Sequence, residues 1–436
     1  MAGLVNYQGS QGSQGSQGSQ GSQGSQGSGA WIPTFAAPIA AGPAAMLAPG
    51  ADPSVSFSLM TIQQDLVNLR KLTKWDPPRK FGPTSSSLPE VGDATRQYQW
   101  GDDIRIENLI TELMQPMYMG VAEVLGVSDV FQLKHVVLRS AGANSLYPIV
   151  QITRPPLGLF EEQVKTVFDK VDLRPERLTE IINQIGIPMQ FWAAVLDLNP
   201  VNHRYTLELL FVALQMASHV NQFAKHAFGC PRPSAYSPAI QPAINPRRFG
   251  AFPSGHATEA YLVARILQRL SRQKVLAYNS NIPSLDMHLR RLAHRIADNR
   301  EVAGVHFPID SAVGRMVGET LAEYFVYRCE TQWDESSGVK HDHGTPWQPR
   351  NFIGAETIQG GAVITLEFNQ FEQMDMAASG TPQPKYFGKE KPLPAGPGPY
   401  QMIAPPKSAN VTPLRSQNVT LLHTAWKRAE AEWASF

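Results

Sequence analysis

Apolar side chains recur every three to four residues from about residue 160 to residue 328, the spacing of amphipathic helices packed into a core. The helices that this pattern predicts are 160–170, 174–185, 188–196, 202–228, 255–272, 284–302 and 308–328. The longest carries one apolar stripe, made of Leu207, Leu210, Phe211, Leu214, Ala217 and Val220. Gly229 suits the end of that helix, and Pro308 suits the first turn of the last one.

Upstream of residue 160 the pattern is less regular. A first helix is predicted near Ser56 from the spacing of Leu59, Ile62, Leu66 and Leu69. Residues 76–100 are rich in Pro, Gly and Ser, which predicts a long loop. Asp102–Leu125 has the pattern of a helix broken near Pro116, and Val130–Val150 is compatible with extended chain.

The two ends of the chain differ from this middle part. Residues 8–28 are seven copies of Gln-Gly-Ser, which cannot bury apolar surface and predict a flexible arm. After residue 333 the chain is polar and rich in Pro and Gly, with a predicted strand or hairpin at Gly361–Phe368 and a docking helix at about 418–434. These patterns divide the chain into a disordered arm (1–55), a mainly α-helical domain (56–330) and an irregular extension wrapped on that domain (331–436).

Composition narrows the classes of function. The formal net charge is +1, which does not favour a general nucleic-acid or anionic membrane surface. Two cysteines, Cys230 and Cys329, form no disulfide framework and no zinc pattern, and Cys230 is interpreted as a small buried residue. We find no apolar run long enough to span a membrane and no signal peptide, so we expect a soluble protein that is cytoplasmic rather than secreted.

Three short motifs carry the candidate chemistry. The first is Lys225 followed by Arg232-Pro233, with Lys225 at a helix end and Arg232 on a proline-stiffened loop. Two cations placed in this way can converge on one anion, to which lysine offers a point charge and arginine a planar fork of donors. By itself this pattern is more typical of solvated side chains.

The second motif is Pro253-Ser-Gly-His256, placed where a helix is predicted to begin. Free N–H groups at a helix N-terminus favour an anion, Ser254 adds a hydroxyl, and Gly255 allows close approach of the backbone. His256 would then lie over the same anion and exchange protons near neutral pH. The alternative is an ordinary serine N-cap beside an incidental histidine.

The third motif is Arg300, His306 and Asp310 in the spacing Arg-x5-His-x3-Asp. A carboxylate four residues after the histidine, in the first turn of a helix, can orient the imidazole and raise its basicity. The other ring nitrogen is then free to act as a nucleophile or a ligand. Taken together, the three motifs predict a site for a phosphate-like oxyanion, with His306 bonded to its central atom.

These motifs resemble those of the superfamily that joins type 2 phosphatidic acid phosphatases (PAP2), bacterial class A acid phosphatases and vanadium-dependent haloperoxidases. The resemblance covers residues 225–310. It implies an α-helical bundle of the haloperoxidase and acid phosphatase type, here with an irregular C-terminal extension. It also implies that the oxyanion is held by Lys225, Arg232, Ser254, Gly255 and Arg300. Asn299 stands where the family usually has serine, a departure outside the contacts to the anion.

The roles of the remaining residues also follow from the resemblance. His306 would be the vanadium ligand of a haloperoxidase or the phosphoryl acceptor of a phosphatase. His256 would be the acid–base residue, and Asp310 would orient His306. Phe249 lies four residues before Pro253, where chloride-oxidising members are similar in carrying Phe, so it is a candidate halide-site residue.

The resemblance leads us to expect a vanadate-dependent haloperoxidase. It would oxidise halide with hydrogen peroxide to hypohalous acid at a His-ligated vanadate, with an organic acceptor as the further substrate. The first alternative is a soluble acid phosphatase with phosphate in the same site and a phosphohistidine intermediate. The second is a non-catalytic phosphate-binding or assembly protein, which would need no acid–base pair. The Pro-rich tail is suited to subunit contacts, so we expect a homo-oligomer.

Overall fold

A computed structural model describes residues 61, 64–65, 68, 94–124, 127–137, 145–186, 188–246, 249–278, 282–330, 347, 349–352, 358–359, 362–363, 400–402 and 420–434. Its helices are α1 (Asp102–Met114), α2 (Leu157–Asp169), α3 (Arg174–Asn183), α4 (Met189–Leu196), α5 (Arg204–Phe228), α6 (Pro233–Tyr236), α7 (Gly255–Tyr278), α8 (Ile282–Val302), α9 (Pro308–Glu330) and α10 (Leu421–Ala434). Short 3-10 helices span Ala94–Gln99, Lys170–Leu173 and Pro238–Ile240. The fold is mainly α, as the periodicity predicts.

Helix α9 lies at the centre of the fold. Almost all of its residues are buried, polar and apolar alike, so it has no solvent face. Two glycines let it approach α7 closely. A Cβ at Gly314 would lie 2.6 Å from the carbonyl oxygen of Ser254, and one at Gly318 would lie 2.3 Å from that of Thr258. The first turns of α7 and α9, which carry residues of the second and third motifs, are therefore held side by side.

A five-stranded sheet packs against helices α5 and α9. Its strands are β1 (Met117–Val124), β2 (Val127–Val137), β3 (Ser145–Thr153), β4 (Arg350–Phe352) and β7 (Tyr400–Met402), hydrogen-bonded in that order. β3 and β4 pair in parallel, and the other neighbours are antiparallel. The buried Phe131 of β2 packs on Phe228, at the end of α5, with 6.4 Å between the ring centroids. A separate two-stranded pair joins β5 (Ile358–Gln359) to β6 (Ala362–Val363).

The C-terminal helix α10 caps the start of α5. The Glu432 carboxylate accepts hydrogen bonds from the backbone N–H groups of Tyr205 and Thr206 at 2.7 and 2.9 Å. Trp426 and Trp433 are buried, and the Trp433 indole donates to the Thr206 hydroxyl at 3.0 Å. The cap supplies acceptors to a helix start that would otherwise leave N–H groups unsatisfied.

The structure confirms most of the predicted elements and corrects two. The predicted helix at Asp102–Leu125 is wrong beyond Met114, because Met117–Val124 is strand β1, paired with β2. Within the predicted loop 76–100, Ala94–Gln99 forms a 3-10 helix. The predicted Gln-Gly-Ser arm, the apolar positions of the helix near Ser56 and most of the extension after residue 330 lie outside the described residues, so the domain boundaries stay a prediction.

Candidate active site

Lys225 is buried in the last turn of α5. The helix ends at Gly229, which has a φ of 60°. The ammonium group donates hydrogen bonds to the carbonyl oxygens of Gly250 and Ala251 at 3.1 and 2.8 Å. Burial, and then the nearby charge of Arg232, hold the pKa of Lys225 well below its ordinary value. An anion bound beside it would raise this pKa again.

Arg232 follows the end of α5 and reaches the third motif. Its Nη1 donates to the carbonyl oxygen of Val305 at 2.7 Å and lies 3.1 Å from Nε2 of His306. The half-buried ring of Phe249 lies against the same two cations, with its centroid 5.5 Å from Lys225 Nζ and 5.3 Å from Arg232 Cζ. The first and third motifs thus meet, with Phe249 beside them.

His306 has both ring nitrogens engaged. Nδ1 lies 3.0 Å from the Asp310 carboxylate, which also accepts the backbone N–H of Phe307 at 2.9 Å. A guanidinium can only donate, so the contact of Arg232 with Nε2 requires a lone pair on that nitrogen and places the proton on Nδ1. The side chains therefore select the tautomer whose Nε2 can bond to an electrophilic centre.

The pKa values around His306 follow from burial and the surrounding cations. Burial, then the charges of Arg232 and Lys225, hold the pKa of His306 well below its ordinary value. Burial raises the pKa of Asp310 to about 7, against the lowering effect of the Phe307 N–H. The site is therefore arranged to keep the imidazole neutral while it contains no anion.

Ser254 joins α7 to α9 at the start of the second motif. Its N–H donates to the carbonyl oxygen of Asp310 at 2.9 Å, and its hydroxyl oxygen accepts from the N–H of Ala257 at 3.4 Å. Ser254 therefore caps α7, and its hydroxyl hydrogen is still available for donation. Gly255 is buried beside it in the first turn, where helix geometry provides no intrahelical acceptor for N–H groups.

His256 points from α7 toward the segment that follows α3. Its Nε2 lies 3.0 Å from the carbonyl oxygen of Gln184 and 3.3 Å from that of Ile185. Carbonyl oxygens only accept, so Nε2 carries the proton and Nδ1 carries the lone pair. Burial, followed by the charge of Arg300, lowers the pKa of His256 to about 3.

Arg300 lies in the last turn of α8 and is completely buried. Its Nη2 donates to the carbonyl oxygen of Ile181 at 2.9 Å and lies 3.4 Å from the side-chain oxygen of Gln184. Across the part of the chain that the structure describes, Nε and Nη1 have no hydrogen-bond partner and no carboxylate pairs with the group. Burial lowers its pKa to about 9. A buried guanidinium with two unused donors is suited to an anionic ligand.

Gly304 positions the chain between Arg300 and His306. Its φ is 77°, which favours glycine, and a Cβ there would lie 2.7 Å from Nη2 of Arg174 and 2.8 Å from the side chain of Ile240. The N–H of Val305 donates to the carbonyl oxygen of Arg300 at 3.1 Å. The turn thus ends α8 and directs His306 to Arg232.

Sequence reasoning missed the contribution of α3 and the residue that follows it. Asn299, which departs from the family's usual serine, donates to Glu180 and to the side-chain oxygen of Gln184, both at 2.9 Å. Ile181 and Gln184 hold Arg300, and the carbonyls of Gln184 and Ile185 hold His256. In the sequence these residues belong to an ordinary amphipathic helix, so only the departure at Asn299 could have drawn attention to them.

Cys230 lies beside the site without taking part in it. It is buried, and burial raises the pKa of its thiol to about 12. The thiolate that a nucleophile or ligand requires is therefore strongly disfavoured. This agrees with the interpretation of Cys230 as a small apolar residue.

Part of this chain is similar to known proteins. No curated protein matches the chain. One similar solved structure is the first transmembrane PAP2 type phosphatidylglycerolphosphate phosphatase from Bacillus subtilis, with 18% identity, a TM-score of 0.31, and coverage of 38% of this chain and 81% of that one. Among the helices that the structure describes, none could cross a bilayer by length and apolarity. The family model of the PAP2 superfamily matches residues 206–334, the stretch that holds all three motifs, as the motifs predict.

Proposed function

We propose that this chain is a vanadate-dependent haloperoxidase. The observation that carries the proposal is the setting of His306, whose Nδ1 lies 3.0 Å from Asp310 while Nε2 keeps a lone pair beside the guanidinium of Arg232. Nε2 is thus prepared to bond to the central atom of an oxyanion. In such a complex the guanidinium of Arg232 would turn from Nε2 to an oxygen of the anion.

The donor set fits orthovanadate. Lys225, Arg232 and Arg300 offer N–H donors and positive charge, and Arg300 holds two buried donors without partners among the described residues. Such a set repels a bare metal cation and favours a tetrahedral anion that needs one nitrogen ligand. Ser254 and the N–H groups that begin α7 would complete the cradle. Bound vanadate would supply a Lewis acid that activates hydrogen peroxide toward halide.

His256 provides the proton transfer in this reaction. Because Nε2–H donates to the Gln184 carbonyl, Nδ1 is the nitrogen that accepts a proton from hydrogen peroxide. The low pKa of His256 keeps it unprotonated, and an anion beside Arg300 would raise that pKa by offsetting the cation. Over the whole reaction halide is oxidised to hypohalous acid and hydrogen peroxide is reduced, with one proton consumed and water released.

Phe249 is the candidate halide-site residue. Its ring lies within 5.5 Å of both Lys225 Nζ and Arg232 Cζ, so it covers one side of the two cations. An aromatic wall excludes water and leaves a small anion less hydrated near positive charge. In Phe249→Ala we expect chloride oxidation to fall more than bromide oxidation, because chloride is the more strongly hydrated ion.

The second candidate is an acid phosphatase, which the same orientation of His306 favours. Nε2 would attack phosphorus, the bond to the ester oxygen would break, and the leaving oxygen would take a proton from His256. Water would then hydrolyse the phosphohistidine and release phosphate. This route requires a protonated His256 in the substrate complex. An anion bound beside Arg300 would raise the pKa of His256 in either route, so the two functions are distinguished by assay.

Two assays on one purified sample test these alternatives: bromination of a diketone dye by hydrogen peroxide and bromide, and hydrolysis of an aryl phosphate. Both are run before and after addition of orthovanadate. The matched variants are His306→Ala and His219→Ala, since His219 is an exposed histidine of α5 bonded to the carbonyl oxygen of Gln215. We expect vanadate-dependent bromination that only His306→Ala abolishes. Ester hydrolysis that vanadate inhibits, without bromination, would refute the haloperoxidase and establish the phosphatase.

A further inference from the structure

Gln184 connects two of the predicted site residues from outside the region matched by the family model. It follows α3 and is completely buried. Its backbone carbonyl oxygen lies 3.0 Å from Nε2 of His256. Its side-chain oxygen accepts from Asn299 Nδ2 at 2.9 Å and from Arg300 Nη2 at 3.4 Å. Gln184 therefore lies against both the acid–base histidine and the buried arginine.

The orientation of the Gln184 amide follows from these contacts. The groups of Asn299 and Arg300 that face it are N–H donors, so the amide atom between them must be the oxygen. The other amide atom, Nε2, is a buried donor with no partner in the described part of the chain. Nε and Nη1 of Arg300 are likewise buried donors without a hydrogen-bond partner among the described residues. Two touching residues thus hold three nitrogen donors without acceptors, which is unusual in a folded interior.

We propose that Gln184 is a further ligand of the oxyanion, donating its side-chain N–H to an oxygen of the anion held by Arg300. This rests on the proposed function, in that the site must bind a tetrahedral oxyanion. The acceptor that all three donors lack is then supplied by the ligand. The segment after α3 completes the cradle with a group that none of the three motifs contains.

The uncharged amide of Gln184 suits a site that already contains several cations. Arg232 already repels the charge of Lys225, and burial disfavours the charges of Lys225 and Arg300. An amide adds a hydrogen bond to the anion without adding charge. Its oxygen at the same time fixes Asn299 and Arg300, so one side chain both orients the cation and contacts the ligand.

Two substitutions separate these two roles. Gln184→Glu keeps an oxygen for Asn299 and Arg300 but replaces the donor with negative charge. Gln184→Met fills similar volume and removes both. The matched control is Gln97→Met, because Gln97 is equally buried and donates to the carbonyl oxygen of Leu421, outside the site. Dissociation constants for orthovanadate and for inorganic phosphate are measured by titration calorimetry, and thermal unfolding is followed without anion.

If Gln184 donates to the anion, affinity falls about tenfold in Gln184→Met and about 100-fold or more in Gln184→Glu, while Gln97→Met binds as the wild type does. Without anion, the unfolding temperature follows the opposite order to the affinity. Gln184→Glu should unfold at a higher temperature than Gln184→Met, because the new carboxylate pairs with Arg300. The proposal would be overturned if Gln184→Glu bound the anion as tightly as the wild type does, or if Gln184→Met lost more affinity than Gln184→Glu. Gln184 would then be a positioning residue. If the wild type binds neither anion, the proposed function itself fails.

Discussion

Replacing Arg300 by methionine should stabilise the anion-free protein while it removes oxyanion binding. Arg300 is fully buried, and among the described residues no carboxylate pairs with it. Burial lowers its pKa to about 9. The ordinary pKa of arginine is 12.5, so the fall is about 3.5. Each unit of pKa corresponds to about 1.4 kcal/mol, so holding this charge costs about 5 kcal/mol.

Part of that cost is offset by hydrogen bonds that methionine would lose. The contact with the Ile181 carbonyl at 2.9 Å contributes about 1.5–3 kcal/mol, as expected for a charged donor, and the 3.4 Å contact with Gln184 contributes less. The difference leaves Arg300→Met more stable than the wild type by about 1–3 kcal/mol. A charge retained at such a cost is explained by the ligand that it binds.

The assay is urea unfolding of both proteins, with and without inorganic phosphate at about 100 times its dissociation constant. The wild type should gain about 2.7 kcal/mol from the anion and the variant almost nothing. Arg315→Met is the matched control, because Arg315 is also buried but pairs with Glu319 at 3.0 Å. Breaking that pair should cost about 3 kcal/mol. Comparable destabilisation of Arg300→Met, with an undiminished response to phosphate, would refute the reasoning and make Arg300 an ordinary structural arginine.

Three further predictions address other parts of the site and its support. Asp310→Asn should lower kcat/KM for bromination about 10–100-fold, because the imidazole loses its orienting carboxylate; an unchanged value would contradict the assigned role. Gly318→Ala should lower the free energy of unfolding by about 1–3 kcal/mol, because the new Cβ would lie 2.3 Å from a carbonyl oxygen of α7. Gly158→Ala is the control and should cost nothing, because a Cβ at Gly158 meets open space. Equal free energies of unfolding for the two variants in urea titrations would argue against close packing of α7 and α9. The affinity for tungstate should fall above about pH 9, because Arg300 loses its proton there in the anion-free site. Tungstate is chosen because its own charge is constant near neutral and alkaline pH. A dissociation constant that does not change with pH in titration calorimetry would exclude a role for Arg300 protonation in binding.

Much of the candidate site could be predicted from sequence because its chemistry lies in short, local patterns. Asp310 follows His306 at one helical turn, so local backbone geometry alone brings the carboxylate to the imidazole. The spacing of apolar residues likewise predicts α5 and α9, since burial against a core imposes the helical period on side chains. These features depend on neighbours along the chain.

The features that could not be predicted depend on distant contacts. Met117–Val124 has no strict alternation, and it becomes strand β1 because β2 supplies its hydrogen bonds. Gln184 belongs to the site only because the end of α3 packs against α8, about 115 residues further along the chain. No local pattern distinguishes it from a glutamine on a solvated face.

The cap that α10 places on α5 has a consequence for how this protein folds. Glu432 closes a contact with Tyr205 across 227 positions, so it forms only after a large loop entropy has been lost. Until then, Trp426 and Trp433 have no core to enter and the first turn of α5 has no acceptors. We expect the late docking of this helix to leave an intermediate with exposed apolar surface, which is prone to aggregation. A variant that weakens the docking, such as Glu432→Gln, should therefore aggregate during refolding at concentrations at which the native protein stays in solution.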